Sequence, residues 1–245
     1  QKVRTCCISV DTTSSLSQSK RNFKINGNSI SEGGVATAQF LSPGADYKLH
    51  GVVSRPAIIV EGEEGVTNLS VSENMIYGWA TSDSANYPYQ CIHVHIGTSG
   101  SVDISSNQLD SNGQRNDATW TTANNRAYCS MISFVPWYQQ TSTKILNISN
   151  NSIVSGDAYG SGIYVDAGVN AGATEGRGPL RLSIEGNSIE LGAASATYQA
   201  GIVYSTWFYG VTATASLPSN TENLLLSSNN VYSLYGTDTT YLSAL

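Results

Sequence analysis

The chain has 245 residues, 12 Lys and Arg against 18 Asp and Glu, a net charge of −6 and a pI near 4.9. That balance argues against a nucleic-acid or anionic-membrane partner, and no apolar run is long enough for a membrane-spanning helix. Only 12% of residues are charged, whereas Ser, Thr, Asn and Gly abound and Tyr reaches 14, a texture expected of an extracellular or virion β protein.

Residues 1–20 hold no clear repeat. Cys7-Ile8-Ser9-Val10 reads as the last strand of an upstream coil, and the chain opens on Gln1 rather than Met. A piece of a longer polypeptide is therefore expected, with a mature processed chain as the alternative.

From residue 21 one pattern returns six times. Its first copy is Phe23-Lys24-Ile25-Asn26-Gly27-Asn28-Ser29-Ile30: apolar, polar, apolar, two small or polar residues, Asn, a spacer and an apolar residue. Further copies begin at Leu69, Val102, Leu146, Leu182 and Leu224. Their Asn residues, Asn28, Asn74, Asn107, Asn151, Asn187 and Asn229, are 46, 33, 44, 36 and 42 residues apart. Alternation at period two predicts a short strand with one buried face. Asn is then expected at the strand end, where it tolerates the left-handed region and bonds local backbone. Constant strands with variable turns predict a solenoid, and stacked coils would join the six Asn into an internal ladder.

A second strand recurs within each coil, of the form small-apolar-x-apolar-x. Its inward pairs are read as Ile58/Val60, Ile92/Val94, Ser130/Ile132, Ile163/Val165 and Ile202/Tyr204. The outward residues then fall into two columns: Ile59, His93, Met131, Tyr164, Val203, and Glu61, His95, Ser133, Asp166, Ser205. This alignment also makes Cys91 and Cys129 equivalent on successive coils, close enough for a disulfide, with two buried thiols as the alternative. Cys6 and Cys7 are adjacent and do not easily bridge each other.

The outward face is the first candidate site. Coils lie about 4.8 Å apart, so Glu61 and Asp166, three coils apart, are separated by roughly 14 Å, too far for a glycosidase pair. Asp166 with His95 is the acid–base couple the alignment offers, with Glu61 as a further catalytic candidate. His93-x-His95 also reads as a metal pair, but no third ligand stands at a matched position, and zinc needs three or four. Asp157 and Asp166 offer carboxylates for calcium without a calcium-loop pattern. No metal and no cofactor are expected. The second candidate is aromatic: Trp137 and Tyr138 follow one such strand and Trp207 and Tyr209 another, bracketing a groove in which sugar rings stack. His93 and Tyr164 would join them. Asn68, Asn147 and Asn150 match glycosylation sequons but fall on or beside strands, where a glycan fits poorly.

These repeats, over roughly residues 20–235, resemble the right-handed parallel β-helix (pectin-lyase-like) superfamily, closest in texture to bacteriophage tailspike and depolymerase domains. The resemblance implies an all-β, single-stranded right-handed solenoid of about six coils over 21–235. Residues 1–20 would form a lead-in or the end of an upstream coil, and 236–245 a tail or cap. It also implies a homotrimer, on the virion surface or outside the cell, that binds and in some members cleaves bacterial polysaccharide. The alternatives are a non-catalytic fibre or adhesin segment and a secreted pectinase-type lyase or hydrolase. The calcium-carboxylate cluster and catalytic Arg of pectate lyases are missing, as are the Asn-x-Asp and Asp-Asp signatures of polygalacturonases, so no family catalytic residue carries over.

Overall fold

The computed structural model describes residues 8–11, 21–31, 56–62, 66–78, 91–96, 100–110, 130–136, 143–155, 159–166, 179–191, 198–205 and 221–233. These residues form a parallel β-helix of three six-stranded sheets. Sheet A stacks β1 (Ile8–Asp11), β4 (Ile58–Gly62), β7 (Ile92–Ile96), β10 (Ser130–Pro136), β13 (Tyr159–Asp166) and β16 (Tyr198–Ser205) in that order. Sheet B stacks β2 (Arg21–Asn26), β5 (Val66–Ser72), β8 (Ser101–Ser105), β11 (Ile145–Ser149), β14 (Arg181–Glu185) and β17 (Asn223–Ser227). Sheet C stacks β3 (Ser29–Ser31), β6 (Met75–Tyr77), β9 (Gln108–Asp110), β12 (Ser152–Ser155), β15 (Ser188–Leu191) and β18 (Asn230–Ser233). All pairings are parallel, each strand bonding its equivalent one coil away. β1 pairs with β4, so residues 8–11 belong to the sheet that the rest of the solenoid continues.

Sheet B carries the repeated alternation in the predicted register. Phe23 lies beside Leu69, Leu69 beside Val102, Leu146 beside Leu182, and Leu182 beside Leu224. The second inward column, from Ile25 through Val71, Ile104, Ile148 and Ile184, is buried and packs into one continuous core. Sheet C supplies that core with Ile30, Ile76, Leu109, Ile153 and Ile189. No coil buries enough apolar surface alone; each is stabilised by its neighbours.

The six Asn close the corner between sheets B and C. The left-handed residue is not the Asn but the one before it: Gly27, Glu73, Ser106, Asn150, Gly186 and Ser228 have φ between 54° and 68°. That turn swings the Asn N–H and a nearby carbonyl out of the ladder of backbone bonds. The Asn of the next coil replaces both partners. Asn151 Oδ1 accepts from the Asn107 backbone N–H at 3.0 Å, and Asn151 Nδ2 donates to Ile104 O at 2.9 Å. Side chain to side chain, Asn107 Nδ2 donates to Asn151 Oδ1 and Asn151 Nδ2 to Asn187 Oδ1, both at 2.9 Å. The same bonds recur at Asn74 and Asn187. Only an amide has one acceptor and two donors at this reach, which is why Asn recurs at this corner.

Sheet A departs from the predicted alignment in one coil. Ile132 lies beside Ile92 and Phe134 beside Val94, so β10 sits two residues from its expected register. A two-residue slip keeps every side chain on its own face, and alternation cannot detect it. The true outward columns are Ile59, His93, Ser133, Tyr164, Val203 and Glu61, His95, Val135, Asp166, Ser205. Met131, expected in the column beside His93, falls level with Cys91 and Ala57 one residue ahead of the inward column, and all three join the core. Gly162 and Gly201 follow in the small-residue position. A Cβ at Gly162 would meet Ile189 Cγ2 at 2.5 Å, and one at Gly201 would meet Val231 Cγ2 at 2.5 Å. Cys91 is a buried thiol whose backbone N–H bonds Met131 O. Cys6, Cys7 and Cys129 lie outside the described residues.

Candidate functional site

The parallel ladder brings Glu61, His93 and His95 together. Glu61 on β4 is in register with His95 on β7, and His93, two residues earlier, points to the same side. One donor atom from each of the three lies within 4.8 Å of the others. The two imidazole centroids are 5.7 Å apart, tilted by 50°. His93 is buried, whereas His95 and Glu61 are half-buried. Ser133, brought beside His93 by the shifted register of β10, places its Oγ 2.7 Å from His93 Nδ1. Ser133 Oγ also lies 3.4 Å from Ile92 O. Burial, and then the neighbouring His95, hold His93 well below the ordinary imidazole value, and burial lowers His95 to about 4. Both rings are thus neutral at neutral pH.

Asp166 stands in the same column as His95 with Val135 between them, roughly 10 Å away at the spacing of parallel coils. The outward row of sheet A is not an open platform. Asp166, Tyr164 and His93 are each 1% exposed, and Ile59, Ser133 and Val135 are also buried. The predicted sugar-stacking residues Trp137, Tyr138, Trp207 and Tyr209 lie outside the described residues, as does Asp157.

The open polar face is on sheet B, whose inward columns supply the core. Its outward columns run Asn22, Asn68, Ser101, Ile145, Arg181, Asn223 and Lys24, Ser70, Asp103, Asn147, Ser183, Leu225. Bonds between and within coils hold the short side chains in place. Asn68 Nδ2 donates to Asn22 Oδ1 at 2.9 Å, and Ser101 Oγ to Asn68 Oδ1 at 2.9 Å. Asn147 Nδ2 donates to Asp103 Oδ1 and Ser105 Oγ to Asp103 Oδ2, both at 2.6 Å. Ser227 Oγ donates to Glu185 Oε1 at 2.9 Å. These groups keep further lone pairs and N–H bonds for a ligand. The signal was present: Asn, Ser and Asp dominate the polar half of the alternating strands, interrupted by Lys24, Ile145, Arg181 and Leu225.

Comparison of the chain with protein-family models, with curated proteins and with solved structures finds no match in any of the three.

Proposed function

We propose that this chain is a β-helix of the tailspike kind, acting on a virion or outside a cell as a homotrimer, that binds bacterial surface polysaccharide. The observation that carries the reading is the outward face of sheet B. It is a row mostly of amides, hydroxyls and carboxylates, with Lys24, Arg181 and the exposed Ile145 and Leu225 among them. Many of the polar groups are pre-positioned by mutual bonds and repeat at the coil spacing of about 4.8 Å. Sugar hydroxyls both donate and accept, and a row of mixed donors and acceptors complements them along a polymer. The reading stops at binding: Asp166, 1% exposed, offers no open side to a polymer chain. A non-catalytic fibre or adhesin segment is the second reading, favoured by that same burial.

A glycan-array screen tests it, followed on each hit by assays for new reducing ends and for the ultraviolet absorbance of unsaturated uronates. Binding without new ends is expected. New ends would identify a depolymerase and return attention to Asp166, Glu61 and His95. No binding by either the chain or its assembled oligomer would leave the fibre role.

A further inference from the structure

We propose that Glu61, His93 and His95 form a binding site for a divalent transition-metal ion of the zinc type. Two imidazoles and a carboxylate are the donors such ions take, whereas calcium and magnesium prefer all-oxygen sets. The backbone fixes the arrangement. His93 and His95 alternate on β7 and so share a face, and Glu61 enters from the adjacent register position of β4. Their donor atoms lie within 4.8 Å of one another. A tetrahedral ion with bonds of about 2.0–2.1 Å spaces its donors about 3.4 Å apart. Small rotations of the half-buried Glu61 and His95 side chains would bring the donors to that spacing.

Ser133 provides the second, independent observation. A serine hydroxyl has one hydrogen, and Ile92 O is within reach of it at 3.4 Å. With that hydrogen on the carbonyl, Ser133 Oγ accepts Nδ1–H of His93 at 2.7 Å. The proton on Nδ1 leaves the lone pair on Nε2, the nitrogen that would ligate. Ligating histidines are commonly oriented in this way, through a hydrogen bond from the ring nitrogen away from the ion. The site has three protein donors and leaves a fourth position for water or a ligand, with Glu61 and His95 on its more open side. It lies on a different sheet from the polar row, so it stands or falls separately from the polysaccharide reading.

The test uses the full chain, stripped with a chelator and titrated with Zn²⁺ by calorimetry and with Co²⁺ by visible absorption. One equivalent of Zn²⁺ is expected to bind and raise the Tm, and Co²⁺ to give the intense d–d bands of a four- or five-coordinate site. Glu61→Gln and His95→Gln are expected to weaken Zn²⁺ binding at least tenfold with the far-ultraviolet circular dichroism unchanged. Ser133→Ala, which alters only the orienting bond, is expected to weaken it by about 10–100-fold. Should His95→Gln fail to fold, Glu61→Gln, at a half-buried surface position, decides alone. Failure of the wild-type chain to bind Zn²⁺, or binding by Glu61→Gln as tight as wild type, would overturn the site in favour of a metal-free carboxylate–imidazole cluster.

Discussion

Replacing Asn151 by Ala removes a fully bonded side chain from the middle of the internal ladder. Asn151 is 1% exposed. Its Oδ1 accepts from the backbone N–H and the Nδ2 of Asn107 at 3.0 and 2.9 Å. Its Nδ2 donates to Ile104 O and to Asn187 Oδ1, both at 2.9 Å. Alanine strands two buried donors on Asn107 and strips an acceptor bond from Ile104 O. Each stranded buried group costs about 1–3 kcal/mol. Partial relaxation and the second bond retained by Asn107 Nδ2 place the total at about 3–5 kcal/mol, a large fraction of the ~5–15 kcal/mol of an ordinary domain.

Asn28, at the first coil, is the internal control. Its Nδ2 donates to Asn74 Oδ1 at 2.8 Å and to Asn26 O at 3.3 Å, the latter on the exposed side. Asn28→Ala leaves Asn74 Oδ1 still accepting from the backbone N–H of residue 28 and exposes Asn26 O to water, so its expected cost is about 1 kcal/mol. Asn229→Ala, with a half-buried set of the same bonds, should fall between the two. Urea denaturation at constant slope gives the differences from the midpoints. Equal costs for Asn151→Ala and Asn28→Ala would refute the claim that these amides replace backbone partners at the corner.

Three further expectations follow from the same geometry. Gly201→Val places a side chain where a Cβ alone would lie 2.5 and 2.6 Å from the two Val231 methyls, and should cost about 1–3 kcal/mol by overpacking, read as a lowered Tm. Glu73→Gly relieves a left-handed φ of 57° and should stabilise by up to about 1 kcal/mol; a loss of stability would show that the Glu73 side chain matters more than its backbone. For pH, the folded imidazoles titrate below their unfolded value, so the unfolded chain binds more protons as pH falls. Stability of the metal-free protein should therefore drop from about pH 6.5 towards about pH 4, by at most about 3 kcal/mol for the partly exposed His95. His95→Gln should flatten the Tm profile in that window; an unchanged slope would contradict the assignment.

Sheet B and the ladder were legible because alternation, burial and the corner amide repeat in all six coils with nothing competing. Sheet C was visible only as one apolar residue after each Asn, since strands of three or four residues are too short to show a period. The left-handed position was misplaced by one residue, because Asn and its small or polar predecessor suit that conformation equally on sequence grounds. In coil three, Met131-Ile132-Ser133-Phe134 allows two registers with identical inside–outside pattern. The one adopted brings Ser133, not Met131, beside His93. Glu61 was legible in one column with His95, but not its closeness to both imidazoles, because alternation along β7 says nothing of the side chains that the neighbouring coil brings beside it. Burial of the outward row of sheet A was not legible either, because alternation reports which face a residue takes and not whether that face is covered.

The most direct test of the proposed polysaccharide contact is calorimetric titration of a glycan identified on the array into the wild-type chain and into an Asp103→Ala/Asn147→Ala double variant. Both residues lie on the outward side of sheet B, half-buried and bonded to each other. Loss of a pair of ligand hydrogen bonds, at least one of them to a charged group, should weaken binding by about tenfold or more, with circular dichroism unchanged. Undiminished affinity in the double variant would contradict the assignment of this face to polysaccharide.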